Sequence, residues 1–409
     1  MSDRRWKILW VKSGALHPAD TGGKIRTLSM LRELNRWHDV TYLSPKPADV
    51  ELHPDEATDP YAQEKLWIPV REPKRGSPAF FAQLALNVLS SKPFALTKHT
   101  IPALRRKLIE LDASGAFDLI VCDFLSPALH FLGHKWRTPV VMFQHNMESQ
   151  IWKRMAANHP RWHGRVFLGS QYRRMFRWED RLSRLFDGII TVSAEDTKFA
   201  RERYHLTNVL GDVPPGVDTT FFTPEDRAPE SKPVLAFLGS MDWMPNIEGV
   251  HWFVREVWPQ VCARVPEVTL RIIGRRPGAD IRALADRDSS IVVTGTVDDV
   301  RPHLRDAAAM IVPLLSGGGT RIKILEAMAF GLPVLSTTIG AEGLPFEHDQ
   351  HLLLADDPGA FVERCVGLLR SKDLRARLAQ AARDEVVAQC SWAVASRKFE
   401  ALCRAVVKR

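Results

Sequence analysis

A chain of 409 residues, 45% hydrophobic and 25% charged, is long enough for two hydrophobic cores and too apolar to remain disordered. Its net charge of +8 suits polyanionic partners such as nucleic acid, anionic lipid headgroups or a diphosphate-bearing ligand, but no block of five or more like charges marks a nucleic-acid tail. The five cysteines, Cys122, Cys262, Cys365, Cys390 and Cys403, are odd in number and lack CxxC spacing, which argues against a disulfide framework or a zinc site and for a reducing compartment. Only Ile8–Val11 is apolar after the charged start, too short for a secretory signal, and no window reaches the roughly 18 apolar residues of a membrane span. The expected location is cytoplasmic, with any membrane contact peripheral and at the inner face.

Short apolar runs rich in β-branched residues alternate with helix-length segments. Strands are expected at Lys7–Val11, Val40–Leu43, Phe117–Asp123, Pro139–Gln144 and Asp187–Ser193. A second set is expected at Pro233–Ser240, Val268–Gly274, Ile291–Gly295, Ala309–Leu314 and Pro333–Thr337. Continuous apolar runs suit strands buried on both faces of a parallel sheet, and their alternation with helices predicts a doubly wound α/β architecture. Proline and glycine concentrate in Asp212–Asp218 and Thr223–Pro229, so a linker is expected near Gly216–Lys232. The expected domains are residues 1–215, 216–390 and a terminal helix, 391–409, packing back on the first. Ligands bind beyond the carboxyl ends of such strands, and two such sheets facing each other would form a cleft.

Two further segments have helical character. Pro78–Leu89, rich in Phe and Leu and followed by Lys92, Lys98, Arg105, Arg106 and Lys107, reads either as a core helix with a solvated basic flank or as a helix on an anionic membrane surface. In the last segment Ser391 is an N-cap candidate, and Trp392, Ala395, Phe399, Leu402 and Val406 fall on one helical face.

The stretch Pro313–Val334 carries the densest chemistry. A buried strand ends at Leu314, glycines Gly317, Gly318 and Gly319 follow, and a helix is expected from near Thr320 to Gly331. A helix N-terminus after a glycine loop offers free N–H groups and a positive dipole end, suited to phosphate. Arg321 and Lys323 would add two cations in the first turns, and Glu326 could accept from ribose hydroxyls. The alternative is a plain turn with an i,i+3 surface pair between Lys323 and Glu326.

Thr320-Arg-Ile-Lys-Ile-Leu-Glu-Ala-Met-Ala-Phe-Gly-Leu-Pro-Val334 resembles the donor-site motif of glycosyltransferase family four, the retaining enzymes of the GT-B architecture. Other landmarks resemble that family in the same order. They are Gly22-Gly23-Lys24-Ile25-Arg26, Gln144-His145-Asn146-Met147-Glu148, Pro215-Gly-Val-Asp218 and Gly239-Ser-Met-Asp-Trp-Met-Pro-Asn246. The resemblance covers nearly the whole chain and is strongest to the exopolysaccharide-associated branch. It departs in two places. The first glutamate of the usual Glu-x7-Glu pair is Gly318, and the loop Gly239–Asn246 holds neither the Arg nor the Lys common there.

The resemblance implies a retaining transfer of a sugar from a nucleoside-diphosphate-sugar to a lipid-linked or polysaccharide acceptor, with no cofactor. His145, Arg321, Lys323 and Glu326 would be catalytic. Gly22, Gly23, Gly239, Ser240, Asn246, Arg275, Thr294, Gly295, Gly318, Gly319 and Thr320 would bind donor, and Arg26, Asn146 and Glu148 would lie on the acceptor side. Bland readings stand beside these: a hydrogen-bonded structural His145, a first-turn carboxylate at Glu148, an ordinary turn at Gly22-Gly23, a surface charge at Arg26 and a solvated loop at Arg275-Arg276. No HEXXH, DxD-like pair or nucleophile elbow appears, so no catalytic metal is expected, and cations with a helix dipole would stabilise the departing diphosphate. Rival functions are a nucleotide-sugar epimerase and a non-catalytic scaffold in a glycan-assembly complex; no basic-aromatic motif supports nucleic-acid binding.

Overall fold

The computed structural model describes residues 4–71, 77–78, 87, 90–97, 100–158, 161–224, 233–316 and 321–407. Most of Pro78–Leu89, part of the linker and Gly317–Thr320 lie outside these residues. The chain forms two compact units, one running up to Pro214 and taking up the chain again from Ala395, the other spanning Pro215–Val394.

The first unit holds a seven-stranded sheet of β1 (Lys7–Val11), β2 (Asp39–Pro47), β3 (Glu64–Val70), β4 (Leu119–Asp123), β5 (Val140–Phe143), β6 (Gly188–Thr191) and β7 (Val209–Asp212). Their order is β3-β2-β1-β4-β5-β6-β7 and every neighbour is parallel. The chain works outward from β1 to β3, then returns to β1's other side as β4, so the winding reverses between β1 and β4.

The second unit repeats the plan with six strands: β8 (Val234–Leu238), β9 (Thr269–Ile273), β10 (Ile291–Gly295), β11 (Ala309–Val312), β12 (Val334–Ser336) and β13 (Leu353–Leu354). The order β10-β9-β8-β11-β12-β13, again parallel, puts the reversal between β8 and β11. Sequence expectation and structure agree on α/β class and on the ten expected runs, most trimmed by a residue or two at the ends. They differ at β3, β7 and β13, which the sequence did not announce. β3 and β13 are sheet edges and β7 is the opposite edge of the first sheet.

The continuous apolar runs arise because each inner strand feeds two cores. In β8, Leu235 and Phe237 pack with Ile272, Trp258 and Phe361, while Val234, Ala236 and Leu238 pack with Met310, Val312, Leu325 and Met328 on the other face. In the first unit, Leu9, Ile120 and Met142 pack under Leu104, Leu108, Met175 and Leu182. Ser391 caps the last helix, Trp392–Val407, accepting from the Val394 N–H at 3.3 Å. In the first unit the Phe399 ring lies 5.5 Å from Trp10 and 5.1 Å from Phe143. Among the described residues no helix is long and apolar enough to cross a membrane.

Candidate functional site

In the first unit the winding reversal gathers a buried polar cluster. β1 ends before Lys12, β4 ends on Asp123, and the helix Gly22–Trp37 follows the loop after β1. Asp123 is fully buried, and three donors converge on its Oδ2: Trp10 Nε1 at 2.9 Å, Lys12 Nζ at 3.0 Å and Thr27 Oγ1 at 2.6 Å. His145 Nε2 lies 2.7 Å from Oδ1. Burial works to raise the Asp123 carboxyl, but the Lys12 ammonium and the converging donors hold it well below the usual range. Burial also draws Lys12 below its ordinary value.

His145 follows β5 and is 2% exposed. Desolvation pushes its pKa down to about 4, so the ring is neutral at physiological pH despite its acidic neighbour. It stacks on Phe124, ring centroids 3.9 Å apart, and Phe124 holds a left-handed φ of 81°. A Cβ on Gly23 would meet that Phe124 ring at 2.8 Å, so the close approach requires glycine there. Gly23 and His145 are thus brought together. Arg26 is corrected: it is neither a surface charge nor open to an acceptor, because it is fully buried, donates to the Val213 carbonyl and lies over the Phe143 ring at 4.8 Å.

Glu179 organises the segment after His145. This fully buried carboxylate, on the helix Trp162–Ser183, accepts from Gln144 Nε2 (2.6 Å), the backbone N–H groups of Glu148 (2.7 Å) and Ser149 (3.0 Å), and the Tyr204 hydroxyl (2.6 Å). It therefore caps the helix Glu148–Asn158 from outside, satisfying donors at its positive end. Glu148 is half-buried, and desolvation, with Glu179's charge second, pushes its pKa up to about 7. Asn146 is half-buried beside it.

The second cluster sits at the β8/β11 reversal. The helix after β11 runs from Ile322, close to the expected start near Thr320, to Ala329. Arg321 precedes it in the left-handed conformation, φ 49°, rather than standing in its first turn. Its guanidinium donates to the Ile339 carbonyl at 2.7 Å and lies 3.7 Å from Glu342. Lys323 Nζ donates to Asn246 Oδ1 at 2.8 Å, and Asn246 Nδ2 donates to the Ser240 carbonyl at 2.8 Å. The expected alternative, a Lys323–Glu326 surface pair, does not form: among the described residues neither makes an ion pair. Desolvation, aided by Arg321, draws Lys323 down to about 7, and desolvation raises Glu326 to about 7.

Gly239 and Ser240 follow β8 and Arg275 follows β9. Arg275 Nε donates to Ser240 Oγ at 2.9 Å, and Ser240 Oγ donates to Asp242. The two loops touch: a Cβ on Gly274 would stand 1.8 Å from the Gly239 carbonyl oxygen, and one on Gly239 would meet Asn246 Nδ2 at 2.8 Å and Lys323 Nζ at 3.0 Å. Gly239, Ser240, Asn246, Arg275 and Lys323 are therefore one assembly. Thr294 and Gly295 end β10, two strands from β8, and Thr294 Oγ1 bonds only its neighbour's carbonyl at 3.1 Å among the described residues. Gly318, Gly319 and Thr320 lie outside the described residues.

The comparisons with known proteins agree with this geometry. Residues 21–221 match the family description "Glycosyltransferase Family 4", and residues 232–371 match "Glycosyl transferases group 1". The chain belongs to glycosyltransferase family 4. A phosphatidyl-myo-inositol mannosyltransferase from Mycolicibacterium smegmatis is 28% identical over 48% of this chain and 53% of its own length. An uncharacterized 44.6 kDa protein in the cps region of Klebsiella pneumoniae is 27% identical over 32% of this chain and 36% of its own. The chain thus aligns with about a third to a half of the length of these curated relatives. Among solved structures, a glycosyltransferase from Rickettsia africae superposes with a TM-score of 0.66 at 14% identity, covering 99% of both chains. Anabaena HepE in complex with UDP and glucose gives 0.64 at 14% identity, covering 98% of this chain and 100% of that one. These likenesses establish the GT-B fold.

Two stability predictions follow from the clusters. Asp123→Asn leaves the Lys12 ammonium buried without its carboxylate and should cost about 3–5 kcal/mol in urea denaturation, largely recovered by adding Lys12→Met. A loss under about 1 kcal/mol would show that Asp123 does not offset the burial of Lys12. Gly274→Ala must push the two loops apart, costing roughly 1–3 kcal/mol and several degrees of melting temperature. An unchanged melting curve would mean that the loops yield freely.

Proposed function

We propose that this protein transfers a sugar, with retention at the anomeric carbon, from a nucleoside-diphosphate-sugar to a saccharide or lipid-linked acceptor in exopolysaccharide or cell-envelope assembly. The observation that carries the reading is Lys323. It is a half-buried lysine at the winding reversal, in the first turn of a helix, and among the described residues its one hydrogen bond goes to a neutral carboxamide. Such a cation gains most from an incoming diphosphate, and with the helix dipole it would stabilise the leaving group without a bound metal. Glu326, one turn on, is the proposed partner of the ribose hydroxyls. The UDP of the HepE complex, the mannosyltransferase names and the cps-region relative support the donor class and the pathway class.

In the first unit, a neutral His145, with Nε2 2.7 Å from Asp123 Oδ1, is the proposed acceptor for a sugar hydroxyl through Nδ1. Glu148, with a pKa near 7, is the proposed acceptor-side base. A lipid-linked acceptor would also explain Trp162, Val166 and Phe167, which are 76%, 61% and 41% exposed on one helix, as a peripheral membrane contact. The segment Pro78–Leu89 read that way from the sequence lies largely outside the described residues.

The test is titration calorimetry with UDP, GDP, ADP and TDP sugars. Lys323→Met should weaken the preferred nucleotide by about 1.5–3 kcal/mol. Lys323 with a pKa of about 7 is mostly neutral at pH 8. A bound diphosphate raises that pKa, so binding there should take up a proton, seen as a buffer-dependent heat that Lys323→Met abolishes. Unaltered affinity and no proton uptake would refute the diphosphate assignment. His145→Ala should lower turnover by roughly 10- to 1000-fold while the bare nucleoside diphosphate binds unchanged. Normal turnover with an earlier melt would make it a structural residue only.

A further inference from the structure

The loop after β1 holds a histidine that neither cluster uses. His17 is nearly buried, its side chain 8% exposed, and its Nε2 lies 2.7 Å from Asp59 Oδ2. Arg32 grips the same carboxylate, Nη2 to Oδ2 at 2.6 Å, which fixes Asp59 as the acceptor. The proton of His17 therefore sits on Nε2, and the Nδ1 lone pair points the other way. It faces Asp55 Oδ2 at 3.9 Å, and His53 Nδ1 lies 3.6 Å from that same oxygen. One ligand atom from each of His17, His53 and Asp55 lies within 4.8 Å of the other two.

We propose that His17, His53 and Asp55 bind a divalent cation of the zinc class, with water completing a four-coordinate shell. Bonds of about 2.0–2.2 Å in a tetrahedron hold ligand atoms roughly 3.3–3.6 Å apart. His53 and Asp55 are exposed and free to swing inward by the difference. The backbone N–H of Asp55, 3.3 Å from His53 Nδ1, is a long contact that the metal replaces. Two imidazoles with one carboxylate suit zinc and its neighbours better than calcium or magnesium, which take oxygen ligands. The surroundings are built for the purpose. Asp59 plays the part of the carboxylate that orients a ligating histidine and fixes its tautomer. Glu56 accepts the backbone N–H groups of Leu16 and His17, the latter at 2.7 Å, and the Tyr61 hydroxyl at 2.6 Å, locking the His17 loop to the Asp55–Thr58 turn before any ion arrives. The ion would pin the loop that leads into Gly22 and Gly23 against the segment after β2, a structural role separate from sugar transfer.

The experiment uses the untagged full chain, stripped with chelator. Zinc affinity is read by competition with a chromophoric chelator, and cobalt(II) by its visible absorption. The expected result is one ion per chain, a four-coordinate cobalt band and a zinc-dependent rise in melting temperature. His53→Ala and Asp55→Ala, both at exposed positions, should each weaken zinc at least about tenfold and abolish the melting shift, and Asp59→Asn should weaken it by about 10- to 100-fold. Each variant's shift is compared with its own metal-free curve, so a change in basal stability does not obscure the outcome. Absence of the cobalt band in the wild type, or wild-type zinc affinity in both His53→Ala and Asp55→Ala, overturns the site and leaves the three residues as a histidine–carboxylate ion-pair group.

Discussion

A parallel sheet covered on both faces leaves polar side chains one place to gather, the loops beyond its carboxyl edge. Both sheets obey this constraint without an antiparallel pair among their named strands. At an ordinary position the loop after each strand is drawn away by its crossover helix. At β1/β4 and at β8/β11 the winding reverses, the position at which neighbouring loops part to opposite faces of such a sheet. The clusters around Asp123 and around Lys323 stand at those two places.

The two reversals use the same element differently. Each holds a lysine against an aromatic ring: buried Lys12 lies 4.1 Å from the Phe124 centroid and half-buried Lys323 lies 4.7 Å from that of Phe237. Lys12 has a buried carboxylate, Asp123, as its partner and is electrostatically complete. Among the described residues Lys323 has the carboxamide of Asn246 and no carboxylate partner. The first lysine therefore helps to hold its unit together, and the second keeps an unmet preference for negative charge.

The inner strands and the ordered glycosyltransferase motifs were legible because they are continuous patterns: short β-branched apolar runs between helix-length segments suit a buried parallel sheet, and Thr320–Val334 fixes Lys323 and Glu326 by spacing. What was hidden followed physical rules as well. Asp123 read as the end of a strand and Lys12 as the end of an apolar run, since a charge at a strand end is usually solvated. Only the pairing of β1 with β4 shows that the two meet. Glu179 left a faint trace, a carboxylate inside the buried stripe of Met175, Trp178 and Leu182, which a charge-in-stripe search would have found. The left-handed backbone of Arg321, just before the helix that starts at Ile322, is a feature that no residue pattern there encodes.

The edge strand β3 escaped notice because Glu64, Lys65 and Pro69 interrupt its apolar pattern, yet it pairs with β2 in register from Thr41–Glu64 to Pro47–Val70. Those interruptions have a use once the strand is placed. An open sheet edge is a template on which a second copy could add its own strand, and an unbroken apolar edge invites fibrous growth. Pro69 has no N–H to offer such a newcomer, and the two charges at the strand's start would have to be desolvated to admit it. The residues that made β3 hard to read are therefore ones that disfavour the addition of a further strand at this edge.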